Sequence, residues 1–236
     1  MTAKIVISFQ SYWFVGTGRE AGVYADSIPV TRKLAVVREE TESRVSGKAG
    51  QECGEQESFV RVPCVPGKTV KGMFRDAFEI ACRNGWFGGI ADTIILEDCL
   101  FGMPGPNKHD NKEPGRFGNP GLLHFSTLEI SDAVKAYLYK NSKAVYELFR
   151  TVKSTAIDAK TGTARNMSLR EYEVVVPLTL SGELSFDEEE IKGLGFSGSG
   201  DLITKLNQVA ALITELGGKR TRGFGQCVIT VEEVKA

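Results

Sequence analysis

The chain has 236 residues, 42% hydrophobic and 25% charged, which is ordinary globular composition with enough apolar material for a real core and excludes disorder throughout. A net charge of −1 excludes a protein that coats nucleic acid by overall charge, so any such contact must come from local basic surfaces. No apolar run approaches the roughly 20 residues a membrane span needs, and MTAKIVISF lacks the basic region and cleavage site of a signal peptide; a cytoplasmic protein is expected.

Residues 4–9 (KIVISF) alternate apolar and polar and predict a first strand, followed by a turn-rich GTGREAG at 16–22. Residues 28–37 read as extended. The stretch 38–58 holds one bulky aliphatic, Val45, and reads as a mobile insertion with nothing to give a core. From Thr69, the spacing of Val70, Met73, Phe74, Ala77, Phe78 and Ala81 predicts a helix, with Pro66 and Gly67 at its start. Residues 103–121 carry four prolines and four glycines and predict a second long loop.

LLHFSTLEI at 122–130 reads as a strand, 132–149 as a helix interrupted by YLYKNSK, and EVVVPLTL at 173–180 as a further strand. Leu202, Leu206, Val209, Ile213 and Leu216 predict a second amphipathic helix, with Asp201 near its start and Gly217 ending it. QCVITV makes a final strand. This order suits a single α+β domain over 1–236, a ferredoxin-like palm interrupted by long loops.

Several familiar motifs fail on their context. Gly67-Lys68-Thr69 ends like a phosphate-binding loop, but Val62 stands where that motif needs glycine. Gly193, Gly195 and Gly198 fit GxGxxG, yet DEEEIK rather than a strand precedes them. Arg222-Gly223-Phe224-Gly225 resembles an RNA-stacking strand, with too little chain after it to complete an RNA-recognition motif. The five cysteines, at 53, 64, 82, 99 and 227, form no CxxC pair and fit reduced thiols, while His109 and His124 have no ligand partners at metal spacing.

Three segments carry more. Pro66-Gly67-Lys68-Thr69-Val70-Lys71-Gly72, followed by Arg75, is a glycine turn feeding a helix N-terminus, where free N–H groups and the dipole favour phosphate and Lys68, Lys71 and Arg75 add charge. Leu216 to Gly225 places Lys219, Arg220 and Arg222 among Gly217, Gly218, Gly223 and Gly225, and small residues allow close backbone approach to a ligand. The third runs from Thr155 to Ala164, with Leu169, Arg170 and Glu173 beyond it.

Together these resemble the RAMP superfamily, and within it the subunit repeated along the backbone of type III CRISPR interference complexes. The first segment is similar to the family's P-G-S-S-L-K-G-x-x-R stretch and the second to its C-terminal glycine-rich loop. The third, with Ile157, Asp158, Thr161 and Arg170, is similar to the segment that builds a projecting thumb, here 151–173, although Ala159 stands where the family usually has arginine. Leu100-Phe101-Gly102 and Leu122 to Ser126 are supporting matches, whereas 38–58 and 132–150 look like insertions.

The resemblance implies binding to a guide CRISPR RNA and its target RNA, stacking with other RAMP subunits into a filament, and contact with a small helical subunit. It also implies a catalytic aspartate in the loop after the first strand. Ala21 to Val30 resembles that loop, with Asp26 in the aspartate's place and one extra residue before the proline. A carboxylate there can take the proton of a ribose 2′-hydroxyl or hold Mg²⁺. The alternative is a capping or non-cutting RNA-binding subunit in which Asp26 is incidental. A stand-alone processing nuclease needs a histidine that the loop lacks.

Overall fold

Strands and helices here follow their apolar spacing. The computed structural model describes residues 1–18, 25–37, 57–87, 93–103 and 120–234. In chain order these form β1 (Thr2–Phe9), β2 (Thr31–Val37), β3 (Glu57–Pro63), α1 (Gly67–Arg83), α2 (Thr93–Phe101), β4 (His124–Phe125), β5 (Glu129–Ile130) and α3 (Asp132–Lys140). A 3₁₀ segment (Ser142–Leu148) leads to β6 (Phe149–Ser154), β7 (Arg170–Val175), β8 (Thr179–Ser185), α4 (Glu188–Gly193) and α5 (Ser199–Ala210). A 3₁₀ turn (Arg220–Arg222) and β9 (Cys227–Glu233) complete the chain's described elements.

The largest sheet runs β4-β8-β1-β9, with β5 also paired to β8, and every pairing is antiparallel. β1 buries Ala3, Ile5, Ile7 and Phe9 while Thr2 and Lys4 stay exposed, and β9 buries Cys227, Ile229 and Val231 in the same alternation. One face is therefore apolar. Against it lie α1, through Val70, Phe74, Ala77, Phe78 and Ala81, and α5, through Leu202, Ile203, Leu206, Val209 and Ala210.

Phe78 links the α1 side to the neighbouring chain, its ring stacked on Phe87 at 4.8 Å and tilted against Phe101 at 5.5 Å. At the sheet edge, Asn207 of α5 donates to Val231 O and accepts from Val231 N–H, both at 2.8 Å, which satisfies part of β9's free edge. Two smaller antiparallel sheets, β2–β3 and β6–β7, stand beside this body. The result is a mixed α/β fold with antiparallel sheets.

Four expected elements differ. The strand at 122–130 is two short pieces, because Ser126 leaves the ladder, and its Oγ takes the Glu183 N–H at 2.7 Å while Glu183 O accepts from Ser126 N–H. Gly182 of β8 makes room for this crossing, since a Cβ there would sit 2.9 Å from Ser126 Oγ. The 132–149 helix stops at Lys140, where Asn141 turns to φ −130° and its side-chain N–H donates to the Tyr137 carbonyl. The 173–180 strand is broken at Pro177, which has no N–H to donate, so its halves join different sheets.

The last difference is that α5 ends at Ala210; Ile213 and Leu216 are buried from the turn beyond it. Two short helices, α2 and α4, were not expected. Of the expected insertion at 38–58, only Glu57 and Ser58 are among the described residues, and they belong to β3; of the loop at 103–121, only Met103, Pro120 and Gly121 are.

Candidate nucleic-acid interface

The segment around Asp26 runs along β7. Asp26 N–H donates to Glu171 O at 2.8 Å, Glu171 N–H donates back to Asp26 Oδ2 at 2.7 Å, and Glu173 N–H donates to Ser27 O at 3.1 Å. Ser27 thereby forms a parallel bridge to Tyr172. Ala25 is buried and Asp26 exposed, so the carboxylate stands at the surface with one oxygen engaged by backbone.

Directly opposed residues of an antiparallel pair share a face, so β6–β7 divides its side chains cleanly. On one face are Thr151 and Lys153 opposite Glu173 and Glu171. Arg61 of β3 grips Glu173 with both guanidinium arms, one at 2.8 Å, and its Cζ lies 4.9 Å from the Phe149 ring centre, while Lys153 Nζ meets Glu171 at 2.7 Å. Both glutamates are thus neutralised. On the other face Val152 and Ser154 oppose Tyr172 and Arg170.

Lys219 reaches that second face from the glycine-rich loop, its Nζ 3.1 Å from the Tyr172 ring centre. The loop is moored by Gly218 N–H to Phe14 O at 2.9 Å, Gly225 N–H to Tyr12 O at 2.8 Å and Leu216 N–H to Gly225 O at 2.8 Å. A Cβ on Gly217 would meet Phe14 O at 2.3 Å, one on Gly218 the Phe14 ring at 2.5 Å, and one on Gly225 Leu216 O at 2.0 Å. These three glycines answer the protein's own backbone and side chains. Gly223 alone of the four faces open space, with φ +79°.

Arg220 and Arg222 are exposed and their side chains have no hydrogen-bond or ion-pair partner among the described residues. Arg220 lines a groove with Met73, Asp76, Ile80, Leu212 and Glu215, on the side of the loop toward α1.

The α1 start is a separate basic site. Pro66 caps it without a side-chain hydrogen bond, and a Cβ on Gly67 would lie 2.0 Å from Phe125 O, so this glycine is required by the approach of β4. Lys68 is exposed. Lys71 Nζ donates to Pro120 O at 2.6 Å, and burial, then nearby Arg75, lower its pKa. Arg75 points inward to Glu97 (2.6 Å), Gly102 O (3.0 Å) and Asp98 (3.1 Å), tying α1 to α2 and the Phe101-Gly102 turn.

Beyond the β6–β7 ladder, residues 155–169 form an exposed turn. Asp158 Oδ1 accepts from Lys160 N–H at 2.8 Å and Thr161 N–H at 3.4 Å, and Thr161 and Thr163 share a hydroxyl hydrogen bond at 2.8 Å. Asp158 and Thr161 therefore shape the tip, while Ile157, Met167 and Leu169 are exposed. The structure thus gathers Asp26, Arg170 and Lys219 around β7 and leaves Lys68 and Lys71 elsewhere. Sequence reasoning missed Tyr172, whose aromatic residue within a strand carries no distinctive signal.

No group of three or more His, Cys, Asp or Glu side chains that could hold a metal lies among the described residues. No described helix is long and apolar enough to cross a membrane.

No curated protein matches the chain. Among solved structures, a chain of a type IV-B CRISPR complex aligns with a TM-score of 0.52 at 14% identity, covering 100% of this chain and 92% of that one. A chain of the type III-B Cmr-beta complex bound to cognate target RNA aligns with a TM-score of 0.56 at 10% identity, covering 98% and 97%. The family model of the RAMP superfamily matches residues 6–228, nearly the whole length. The chain belongs to the RAMP superfamily.

Proposed function

We propose that this chain is a guide-RNA-binding backbone subunit of a type III CRISPR interference complex and cleaves the target RNA paired to that guide. One observation carries the reading: Asp26, the β6–β7 hairpin and the basic glycine-rich loop meet around one strand, β7. We read the main sheet as a ferredoxin-like palm, supported by its order β9-β1-β8-β4 with α1 and α5 on one face, and residues 151–173 as the thumb.

In this reading Lys219, Arg220 and Arg222 hold guide phosphates, and Lys68 and Lys71 at the start of α1 form a second, separate contact. Partners are the guide RNA, target RNA, further RAMP subunits stacked head to tail and a small helical subunit. An open-ended filament follows from such a heterologous contact.

For cleavage, the Asp26 oxygen not engaged by Glu171 accepts the proton of a ribose 2′-hydroxyl. The 2′-oxygen then bonds to the adjacent phosphorus, the bond to the 5′-oxygen breaks, and that oxygen takes a proton from water. A single exposed carboxylate suits Mg²⁺, which commonly rests on one or two carboxylates, substrate phosphates and water; Asp26 would hold it, and when bound it neutralises charge on the phosphate. Positioning in line can itself contribute several kcal/mol, with ~7–11 as the upper range.

A second reading has support of its own. The Asp26–Glu171 hydrogen bond gives the carboxylate a structural task, as a non-cutting or capping subunit requires. The test is cleavage of labelled RNA complementary to the guide by assembled complex carrying wild-type protein, Asp26→Ala or Asp26→Asn, in Mg²⁺ and in EDTA. The asparagine keeps an acceptor for Glu171 N–H and loses the base. Regular cuts lost in both variants while target binding persists support the nuclease; binding without cuts in any protein supports the second reading.

A further inference from the structure

Lys219 is one of two non-glycine residues among those described with positive φ, at +58°, a conformation that L side chains avoid. It precedes the turn that carries Arg220 and Arg222. Something must hold it there, and among the described residues its side chain has one partner, the Tyr172 ring, with Nζ 3.1 Å from the ring centre. An ammonium over a ring is attracted by the ring's negative face while its N–H groups stay available to an anion.

Tyr172 is itself well fixed. Val152 opposes it on β6, Ser27 bridges it on the other edge of β7, and the Phe14 ring lies 6.3 Å away, tilted by 32°. Phe14 also supports the loop, because Gly218 packs on its ring and donates to its carbonyl. Gly218, Phe14, Tyr172 and Lys219 thus form a closed circuit joining the glycine-rich loop to the strand that holds Asp26. Lys219, helped by Arg170 and Ser154 against the opposing effect of burial, lowers the pKa of the phenol, consistent with cations gathered on this face.

We infer that Tyr172 is a positioning residue: its ring anchors Lys219 and so sets the glycine-rich loop, with its two exposed arginines, at a fixed distance from Asp26. This rests on the RNA-binding reading for its consequence but not for its structural content. Anchoring the loop before RNA arrives removes ordering that binding would otherwise have to supply.

Two measurements on the full-length chain separate these parts. Without RNA, hydrogen exchange at 218–224 is compared in wild type, Tyr172→Phe and Tyr172→Ala, with exchange in α5 as the folding control. Tyr172→Ala should raise loop exchange about 2- to 5-fold, and phenylalanine should keep it near wild type, since the ring supplies the anchor. Unchanged loop exchange in Tyr172→Ala overturns the inference whatever the protein binds.

With labelled single-stranded RNA, Tyr172→Ala should weaken binding about 10-fold and make the salt dependence shallower by up to ~0.7 in log–log slope, the share of one lost phosphate contact. In a Lys219→Ala background the same change should alter affinity less than about 2-fold. Fully additive losses would mean that Tyr172 touches RNA independently of Lys219 and would overturn the positioning role. Wild-type protein that binds no RNA, with the exchange result intact, would overturn the proposed function and leave the anchor standing.

Discussion

Arg75 separates two accounts of the α1 segment. Its motif suggests a phosphate contact, but its guanidinium meets Glu97, Asp98 and the Gly102 carbonyl. The Arg75 side chain is 30% exposed, and those of Glu97 and Asp98 are 14% and 27% exposed. Removing one partner of a buried pair costs ~3–5 kcal/mol, and partial exposure to solvent reduces that here to about 2 kcal/mol. For a chain of this size, each kcal/mol moves the melting midpoint by roughly 2–4 °C, so Arg75→Ala should melt about 4–8 °C lower. Arg75→Lys should recover part of this, because one ammonium cannot satisfy three acceptors in the fork's geometry. Thermal melts by circular dichroism, paired with RNA titrations at the same salt, provide the assay. If Arg75→Ala melts with wild type while losing RNA affinity, the arginine is a nucleic-acid ligand and the internal assignment fails.

Two further outcomes follow from the same geometry. Gly225→Ala places a Cβ 2.0 Å from Leu216 O at φ +77° and should destabilise by roughly 3 kcal/mol, whereas Gly223→Ala, at φ +79° in open space, should cost only the ~1–2 kcal/mol of left-handed backbone; urea unfolding of both variants reads the contrast. Burial, helped by nearby Glu97 and Glu215 respectively, pushes the Cys82 and Cys227 thiols from 9.0 up to about 11, so at pH 8 they should alkylate on the order of 100-fold more slowly than an ordinary thiol, read by mass spectrometry. Because the folded state holds these protons more tightly than the unfolded one, their linkage lowers stability as pH rises from about 9 through 11 and is absent below that window.

The elements legible in sequence are those whose apolar spacing alone specifies a buried face: β1, α1, β9 and the first three turns of α5. Where tertiary partners decide, sequence reasoning erred or was silent. The 122–130 strand is divided because Ser126 crosses β8 over a glycine far along the chain, and the 173–180 apolar run hides a break that only Pro177 signals. α4 is short and opens with EEE, so periodicity has little to work on; its cap, with Asp187 Oδ1 accepting from two N–H groups, is the signal that was there. For the site, the glycine-rich loop was visible as composition. The reason for its glycines was not, because Phe14 and Leu216 become their neighbours only after folding.

The charge distribution shows how a chain of net charge −1 can hold a local excess of positive charge. Arg32 and Lys135 converge on Glu129, Arg61 on Glu173, Lys153 on Glu171, Lys192 on Glu188 and Glu189, and Lys205 on Asp201. Each grouping sets carboxylates against cations at contact distance, so its field fades within about a Debye length, ~8 Å at physiological salt. Lys219, Arg220 and Arg222 take part in no ion pair among the described residues, although Asp76 and Glu215 line the same groove as Arg220. A polyanion meets local fields and not the net charge, so three cations without ion pairs among the described residues, carried on one loop, can attract it locally, as the proposed RNA-binding role needs.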